Sequence, residues 1–251
     1  MNSYSQTIKL YIPIIEESPQ LHLFYHELLK TAIIEAGHIP ELIIKESPQK
    51  RIKKQLENGD LSIFWMFESA PRNNKYIPIK VGLTNGLIGT RILFIKRGDQ
   101  AKYDQVKTLE DFRNLNLIGG MGINWFDAQI WKKNNLQYKE KEGSWKSIFK
   151  MIPRNRDYNY FARGINEIVA ESKQYPQLEI EKKLVFIYDC DFIFYLSKEG
   201  AHPGYIYHEI LVDALQKAKE SGLIEKLVKK YWGKDFQTLN YDKRIKIYLQ
   251  K

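Results

Sequence analysis

Strand-like and helix-like segments alternate along the whole chain, and this alternation limits the possible folds more than any other feature. Thr7–Ile14 reads as a strand, and apolar residues then repeat at helical spacing from Leu21 to Ile33. Further strand candidates are TRILFIK at 90–96 and the adjacent apolar runs LVFIY and FIFYL. Ser18 precedes Pro19 and is a candidate N-cap of the first helix. This order of segments predicts α/β layers with mostly parallel strands.

The organisation of the chain follows from its length and from the absence of linkers. Its 251 residues, 43% of them hydrophobic, are enough for one large domain or two modest ones. No low-complexity linker and no repeat of 20–50 residues divides the sequence. Separate lobes would therefore have to be joined by strands rather than by a flexible linker.

Charge and residue usage exclude several classes of function. The formal net charge is +9, but the lysines are scattered and form no basic stripe interleaved with aromatic residues, so we predict no nucleic-acid partner. No run of about 18 apolar residues predicts a membrane span. Cys190 is the single cysteine, which excludes an internal disulfide, and it is expected to be a small buried hydrophobe.

The stretch DYNYFARGINEIVAES, residues 157–172, contains an electrostatic oddity. Its alternating aromatic residues predict a strand, and the apolar spacing after Gly164 predicts a helix. Arg163 lies at the junction, where a cation faces the positive end of the helix dipole. Glu167 follows four residues later in the weaker orientation for an ion pair.

Several segments, taken in order, resemble a known family. They are RIKKQLENGDLSIFWMFESAPR, VKTLEDFRNLNLIGGMGINWFDA, NYFARGINEIVAE and ALQKAKESGLIEKLVKKYWG. In order and spacing they are similar to the bacterial extracellular solute-binding proteins of the polar amino acid uptake family (family 3). The likeness spans residues 8–233.

The resemblance implies the two-lobed type II periplasmic-binding-protein fold. Each lobe would be a mixed sheet flanked by helices, and two crossing strands would join them, near Arg91–Lys96 and Leu184–Tyr195. Lobe one would comprise residues 1–93 plus 192–251, and lobe two residues 94–191. Hinge closure of the lobes would hold a ligand in the cleft between them.

In lobe one the resemblance implies a carboxylate clamp at Arg72, whose guanidinium fork suits a planar carboxylate. Without the resemblance, Arg72 would be read as an exposed loop arginine. Trp65 and Phe67 would face the cleft, with Ser69 beyond them, while Phe64 and Met66 would point into the core by strand alternation. Glu16 or Glu17 would touch the ligand after the first strand.

In lobe two the resemblance implies an anion-binding turn at a helix N-terminus, matched here by Gly122, Ile123 and Asn124 and followed by Trp125. Asn124 is the expected N-cap of that helix, with Asp127 as its N3 carboxylate. Relatives that bind an α-amino acid carry an aspartate near Arg163 for the ligand ammonium. A guanidinium there would repel an ammonium, so the ligand is expected to be anionic or polar. Alternatively, Glu167 or Glu171 neutralises Arg163.

The implied function is capture of a small polar or anionic, amino-acid-like solute and delivery to the membrane permease of an ABC transporter. The chain would be a monomer without cofactor, metal or catalytic residue. It would be periplasmic or extracellular, with a signal peptide removed, although MNSYSQTIKLYIPII lacks a signal pattern.

Two other functions remain open. One is a dehydratase-like enzyme on the same fold, with Glu16, Glu17 or Glu68 as general acid. The other is a ligand-sensing domain of a signalling protein. His22 and His26, four residues apart, could chelate a metal on a helix, but a solvent-facing pair is expected.

Overall fold

The structure is a computed structural model that describes residues 5–15 and 22–251. Within these ranges the strands are β1 Thr7–Ile15, β2 Ile39–Ser47, β3 Ile63–Phe67, β4 Ile77–Ile79, β5 Thr90–Lys96, β6 Gly119–Gly122, β7 Tyr138–Lys141, β8 Tyr160–Gly164, β9 Leu178–Ile180, β10 Leu184–Ile187, β11 Phe192–Leu196 and β12 Ile245–Tyr248. The α-helices are α1 Leu23–Glu35, α2 Gln49–Glu57, α3 Ala70–Lys75, α4 Leu109–Asn114, α5 Phe126–Lys133, α6 Ile148–Met151, α7 Ile168–Gln174, α8 His208–Glu220 and α9 Leu223–Thr238. None of these helices is long and apolar enough to cross a membrane.

The chain divides into two compact units. Unit 1 contains residues up to 85 together with 191–231, and unit 2 contains residues 86–190 together with 232–251. The chain thus passes from one unit to the other three times, and the third passage lies within α9.

Unit 1 is built on two small sheets. Strands β1 and β2 pair in parallel, while β11 lies between β3 and β4 and is antiparallel to both. The core side of β1 carries Ile8, Leu10 and Ile12, all fully buried, and α1 contributes Phe24 and Leu28. Strand β3 ends at Phe67, and the short helix α3 begins three residues later, at Ala70.

Unit 2 is built on a seven-stranded mixed sheet. The strand order is β12-β10-β5-β8-β6-β7, and β9 pairs additionally with β5. Its central strand β5 carries Ile92, Leu93, Phe94 and Ile95, none of them solvent-accessible. Helix α4 opens with a capping box: Thr108 accepts from the Asp111 N–H, and Asp111 accepts from the Thr108 N–H.

The prediction of mostly parallel strands is wrong for the described part of the chain. Five pairs are antiparallel, all of them involving β5 or β11. The remaining four pairs, β1–β2, β6–β7, β6–β8 and β10–β12, are parallel. Strands β5 and β11 each begin within a few residues of a point where the chain passes into the other unit. The alternation of segments along the sequence could not reveal this. Ser18 and Pro19 lie outside the described residues.

The unit boundaries also differ from the predicted lobes at the C-terminal end. Residues 232–251, assigned to lobe one from the sequence, belong to unit 2 because β12 pairs with β10. The strand β5, which was expected to cross between the lobes, lies with all its pairings in unit 2.

Arg244 holds this C-terminal segment in place. Its guanidinium is 7% exposed and donates to the carbonyl oxygens of Leu239, Glu181 and Leu184 at 2.7, 2.7 and 2.8 Å. The carboxylate of Glu181, which is fully buried, lies 3.5 Å from Nη1 of Arg244. One side chain therefore satisfies three buried carbonyl groups at the start of β12.

We expect Arg244→Met to lower the free energy of unfolding by roughly 3 kcal/mol or more, because buried acceptors and the Glu181 charge lose their partner. Urea unfolding measures this change. Lys243→Met is the matched control, since it removes the neighbouring exposed cation and should change stability by less than about 0.5 kcal/mol. Equal stability of the two variants would contradict the role given to Arg244.

Candidate functional site

Arg72 of unit 1 presents a guanidinium that no carboxylate of the described residues neutralises. It lies in α3, five residues beyond the end of β3, and its side chain is half-buried. One of its nitrogens, Nη1, donates to the Phe67 carbonyl oxygen at 2.5 Å. This hydrogen bond orients the planar group and leaves its other N–H groups for a ligand.

Charged side chains of both signs lie around Arg72: Lys53 and Lys75, and the carboxylates of Glu57 and Glu68. Loss of solvent around Lys53, and then the charges of Arg72 and Lys75, lower the pKa of the Lys53 ammonium. Lys75 itself is paired with Glu57 at 2.9 Å. An unpaired guanidinium beside the desolvated Lys53 ammonium favours binding of an anionic group.

Phe67 and Ser69, predicted as ligand-binding residues, are half-buried and lie beside Arg72 in sequence. The Ser69 N–H donates to the Tyr195 hydroxyl at 3.3 Å, and that hydroxyl donates to Asn73 Oδ1 at 2.7 Å. The Phe67 ring packs against Phe192, with centroids 4.6 Å apart. The structure thus brings Phe67, Ser69 and Arg72 together at the end of β3.

Trp65, which was expected to face the cleft, is instead buried in the aromatic core of unit 1. It is 4% exposed and stacks on Tyr25 at 4.4 Å with an angle of 14°. Phe64 and Met66 are buried as predicted, because both faces of β3 are covered. Glu16 and Glu17 lie outside the described residues.

His22 and His26 are buried against Trp65, so the predicted solvent-facing pair is also wrong. Their exposed fractions are 8% and 7%. Burial, with a smaller contribution from His26, lowers the pKa of His22 to about 4. Burial also lowers the pKa of His26, although its hydrogen bond with Pro13 opposes the change. Both rings are therefore neutral at pH 7.

The predicted anion-binding turn of unit 2 joins β6 to α5. Gly122 ends β6, and a Cβ there would come within 2.3 Å of the Trp125 indole nitrogen. Glycine is therefore required for the indole to lie against the strand. Ile123 is 50% exposed, and Asn124 adopts a left-handed conformation with φ of 60°.

The predicted capping of α5 by Asn124 is wrong. Trp125 occupies the N-cap position, and no side chain caps the helix. The Asn124 N–H donates instead to Glu140 Oε1 at 2.8 Å, so a carboxylate of the chain already bonds to this turn. Asn124 is suited to the left-handed position, which explains why an asparagine stands here.

Arg163 is buried and ion-paired. This agrees with the alternative interpretation from the sequence, in which Glu167 or Glu171 neutralises it. Its Nε and Nη2 donate to the two oxygens of Glu171 at 2.8 and 2.6 Å, and Glu167 lies 3.1 Å from Nη2. Burial raises the pKa of Glu171, and the hydrogen bonds from Arg163 oppose that rise. The unfavourable helix-dipole interaction is thereby offset within unit 2.

Three aromatic rings enclose the Arg163 guanidinium. Its central carbon lies 5.3 Å from the Trp125 ring, 4.7 Å from Trp145 and 5.2 Å from Phe161. Trp125 and Trp145 are half-buried, with ring centroids 5.2 Å apart. Arg163 therefore supports the two indoles from within, by cation–π contacts. Whether it also contacts a ligand stays a prediction.

A second buried ion pair lies beside the first. Arg91 of β5 donates from Nε and Nη2 to Asp127 of α5 at 2.5 and 3.2 Å, and the Tyr188 hydroxyl donates to the same carboxylate at 2.8 Å. Burial would raise the pKa of Asp127, but the Arg91 charge and these hydrogen bonds hold it below its ordinary value. Asp127 thus anchors α5 rather than capping it.

Sequence reasoning missed Arg91, Tyr188 and Trp145, and it gave Asp127 a role in helix capping instead of an ion pair. Arg91 and Tyr188 lie 36 and 61 positions from Asp127, where local spacing gives no signal. In the described part of the chain, no three His, Cys, Asp or Glu side chains are grouped so as to hold a metal ion.

Comparison with known proteins identifies the fold. No family model matches the chain, and no curated protein matches it by sequence. Among solved structures, it is similar to the probable amino-acid ABC transporter extracellular-binding protein ytmK from Bacillus subtilis, with 14% identity, a TM-score of 0.64, and coverage of 92% of this chain and 100% of the other.

Two further structures show the same likeness. An ancestral arginine-binding protein bound to glutamine is 14% identical, with a TM-score of 0.55, over 92% of this chain and 100% of the other. The second substrate-binding domain of a putative amino acid ABC transporter from Streptococcus pneumoniae is 15% identical, with a TM-score of 0.55, over 83% and 89%. The predicted two-lobed periplasmic-binding-protein fold is confirmed, and identities this low establish the fold alone.

We expect Asp127→Asn to lower the free energy of unfolding at pH 7 by roughly 3–5 kcal/mol, because Arg91 would stay buried without a counter-charge. Asp213→Asn is the control, since Asp213 forms an exposed pair with Lys217 and should change stability by about 0.5 kcal/mol or less. Urea unfolding compares the two variants.

The same pair predicts a pH dependence. The pKa of Asp127 is lowered in the folded protein, so its contribution is present above the unfolded value of 3.8 and is lost as pH falls below it. Asp127→Asn should therefore lose less stability than the unaltered protein on going from pH 5 to pH 3. Parallel stability curves for the two proteins would contradict this account.

Proposed function

We propose that the chain is a non-catalytic solute-binding protein that captures a small amino-acid-like solute and delivers it to the permease of an ABC transporter. The proposal combines the fold with the residues at the end of β3 and at the β6–α5 turn. Hinge closure of the two lobes is the motion that would enclose the solute.

The observation that carries the proposal is the guanidinium of Arg72. A half-buried arginine without a carboxylate partner among the described residues is suited to a ligand carboxylate. Its fork makes two parallel charge-assisted hydrogen bonds to a planar anion. The nearby Lys53 ammonium adds to the attraction.

The second part of the proposal concerns the charged side chains around Arg163 in unit 2. Arg91 and Arg163 contribute two positive charges and Asp127, Glu167 and Glu171 three negative ones. Lys146, close to Glu171, adds a third positive charge, so the formal sum is 0. Repulsion of a ligand ammonium by Arg163, expected from the sequence, is therefore offset.

Glu167 is the most accessible of these carboxylates, with 32% of its side chain exposed, against 16% for Glu171. Its Oε2 lies 2.9 Å from the point where a Cβ of Gly164 would be, so it occupies the space of the missing side chain at the end of β8. We take Glu167 as the acceptor for a cationic group, which widens the solute class to molecules with both an ammonium and a carboxylate.

A thermal-shift screen over amino acids, organic acids, nucleosides and sugars tests the function. We expect a carboxylate-bearing solute to raise the melting temperature and to be recovered unchanged. Consumption of the solute would favour an enzyme, and the absence of any shift across the panel would contradict the proposal.

For a solute found in this way, we expect Arg72→Ala to weaken binding by roughly 2–5 kcal/mol, because a charged ligand group loses its partner. Arg72→Lys keeps the charge but not the fork, and should show an intermediate loss. Arg51→Ala, at an exposed position of α2, should leave the dissociation constant unchanged in isothermal titration calorimetry.

Glu167→Gln separates the two parts of the proposal. We expect it to weaken binding of an ammonium-bearing solute about tenfold or more and to leave its deaminated analogue unaffected. Glu142→Gln, at an exposed position of unit 2, is the control. An equal effect on both solutes would show that Glu167 acts on folding rather than on the ligand.

A further inference from the structure

His22 and His26 stand together on one face at the beginning of α1. The first is the N-cap residue and the second lies four residues further, one helical turn away. Both rings contact Trp65, with centroid distances of 5.1 and 5.9 Å. Both are more than nine-tenths buried, in a unit whose proposed ligand-binding residues lie elsewhere, at the end of β3.

Three buried nitrogen atoms of the two rings have no hydrogen-bond partner among the described residues. They are Nδ1 and Nε2 of His22 and Nδ1 of His26. Buried polar atoms are nearly always satisfied in folded proteins, and a group of exceptions calls for a physical cause. Helix propensity and core packing do not require histidine here, because an apolar aromatic residue would fill the same space without desolvating polar atoms.

The fourth nitrogen defines the tautomer of His26. Its Nε2 lies 2.9 Å from the carbonyl oxygen of Pro13. A carbonyl oxygen only accepts, so Nε2 carries the hydrogen and Nδ1 of the neutral ring keeps a free lone pair. A backbone carbonyl that fixes one ring nitrogen while the other is left basic is the usual support of a metal-binding histidine.

We propose that His22 and His26 bind a late first-row transition-metal ion, of the type of Ni²⁺, Cu²⁺ or Zn²⁺. Imidazole suits these ions, whereas Mg²⁺ and Ca²⁺ prefer oxygen. Two histidines at i,i+4 on a helix are the spacing that brings two imidazoles to one ion.

The site differs from a closed structural metal centre. Only two protein ligands are provided, so binding is expected to be weaker than in such a centre, reversible and not required for folding. The inference does not depend on the proposed solute-binding function, since Arg72 and Glu167 take no part in it.

The test uses the full chain without an affinity tag, freed of metal by a chelator and then titrated with Ni²⁺, Cu²⁺ or Zn²⁺. Calorimetry should show one ion per chain. Cu²⁺ and Ni²⁺ should also quench tryptophan fluorescence, because Trp65 lies within 6 Å of both rings.

His22→Phe and His26→Gln should each weaken binding about tenfold or more, since each removes one of two ligands. His38→Gln is the control, because His38 is half-buried but lies outside the pair, and it should bind as the unaltered protein does. Trp65→Phe should keep the stoichiometry but lose most of the quenching, which locates the ion beside Trp65.

Absence of binding, or equal binding by the His22, His26 and His38 variants, would overturn the inference and leave the two rings as core side chains. If the His22 variant does not fold, His22→Gln replaces it. Imidazole NMR signals of the unaltered protein provide a measurement without substitution: Zn²⁺ should shift the signals of His22 and His26 and leave those of His38 in place.

Discussion

The buried ion pair between Arg91 and Asp127 is the interaction on which the geometry of unit 2 depends. It joins the central strand β5 to the first turn of α5, and Tyr188 ties the chain after β10 to the same carboxylate. A buried charge without its partner costs several kcal/mol, so the pair tolerates little displacement of either element. Since α5 begins one residue after Trp125, this constraint also positions the indole and the turn before it.

The ion pairs of Arg163 extend this set of buried charges towards the surface of unit 2. Arg163 lies under two half-buried tryptophans and is held by Glu171 and Glu167. The apolar rings exclude water from the guanidinium, which strengthens its hydrogen bonds to the carboxylates. A cation that seemed misplaced at the start of a helix is thus the support of an aromatic surface.

Local sequence patterns predicted individual helices and strands, whereas pairing between distant segments determined how the strands are arranged in sheets. The apolar strand TRILFIK and the first helix, with its apolar spacing up to Ile33, were readable because each depends on neighbours within a few residues. The strand β12 was missed, since IKIY is short and gains its place only by pairing with β10, about sixty residues earlier. The direction of strand pairing was likewise beyond a local argument.

The candidate site residues show the same difference between local and long-range signals. Arg72, Phe67 and Ser69 were predicted from a family resemblance, and they lie together because β3 leads directly into α3. Trp65, His22 and His26 were misplaced, since alternation along a strand and spacing on a helix do not show which faces other elements cover. Their burial depends on α1 packing over β3, which only the folded chain reveals.

The position of β12 has a consequence for biosynthesis. Strand β10 has β5 on one side and β12 on the other, and the chain between β10 and β12 contains β11, α8 and α9. While a ribosome is still synthesising these segments, β10 is an open sheet edge with unpaired backbone groups, and such edges recruit other chains. Unit 2 therefore cannot close its sheet before residues 245–248 have left the exit tunnel, and in the interval a chaperone or rapid translation up to these residues would protect it.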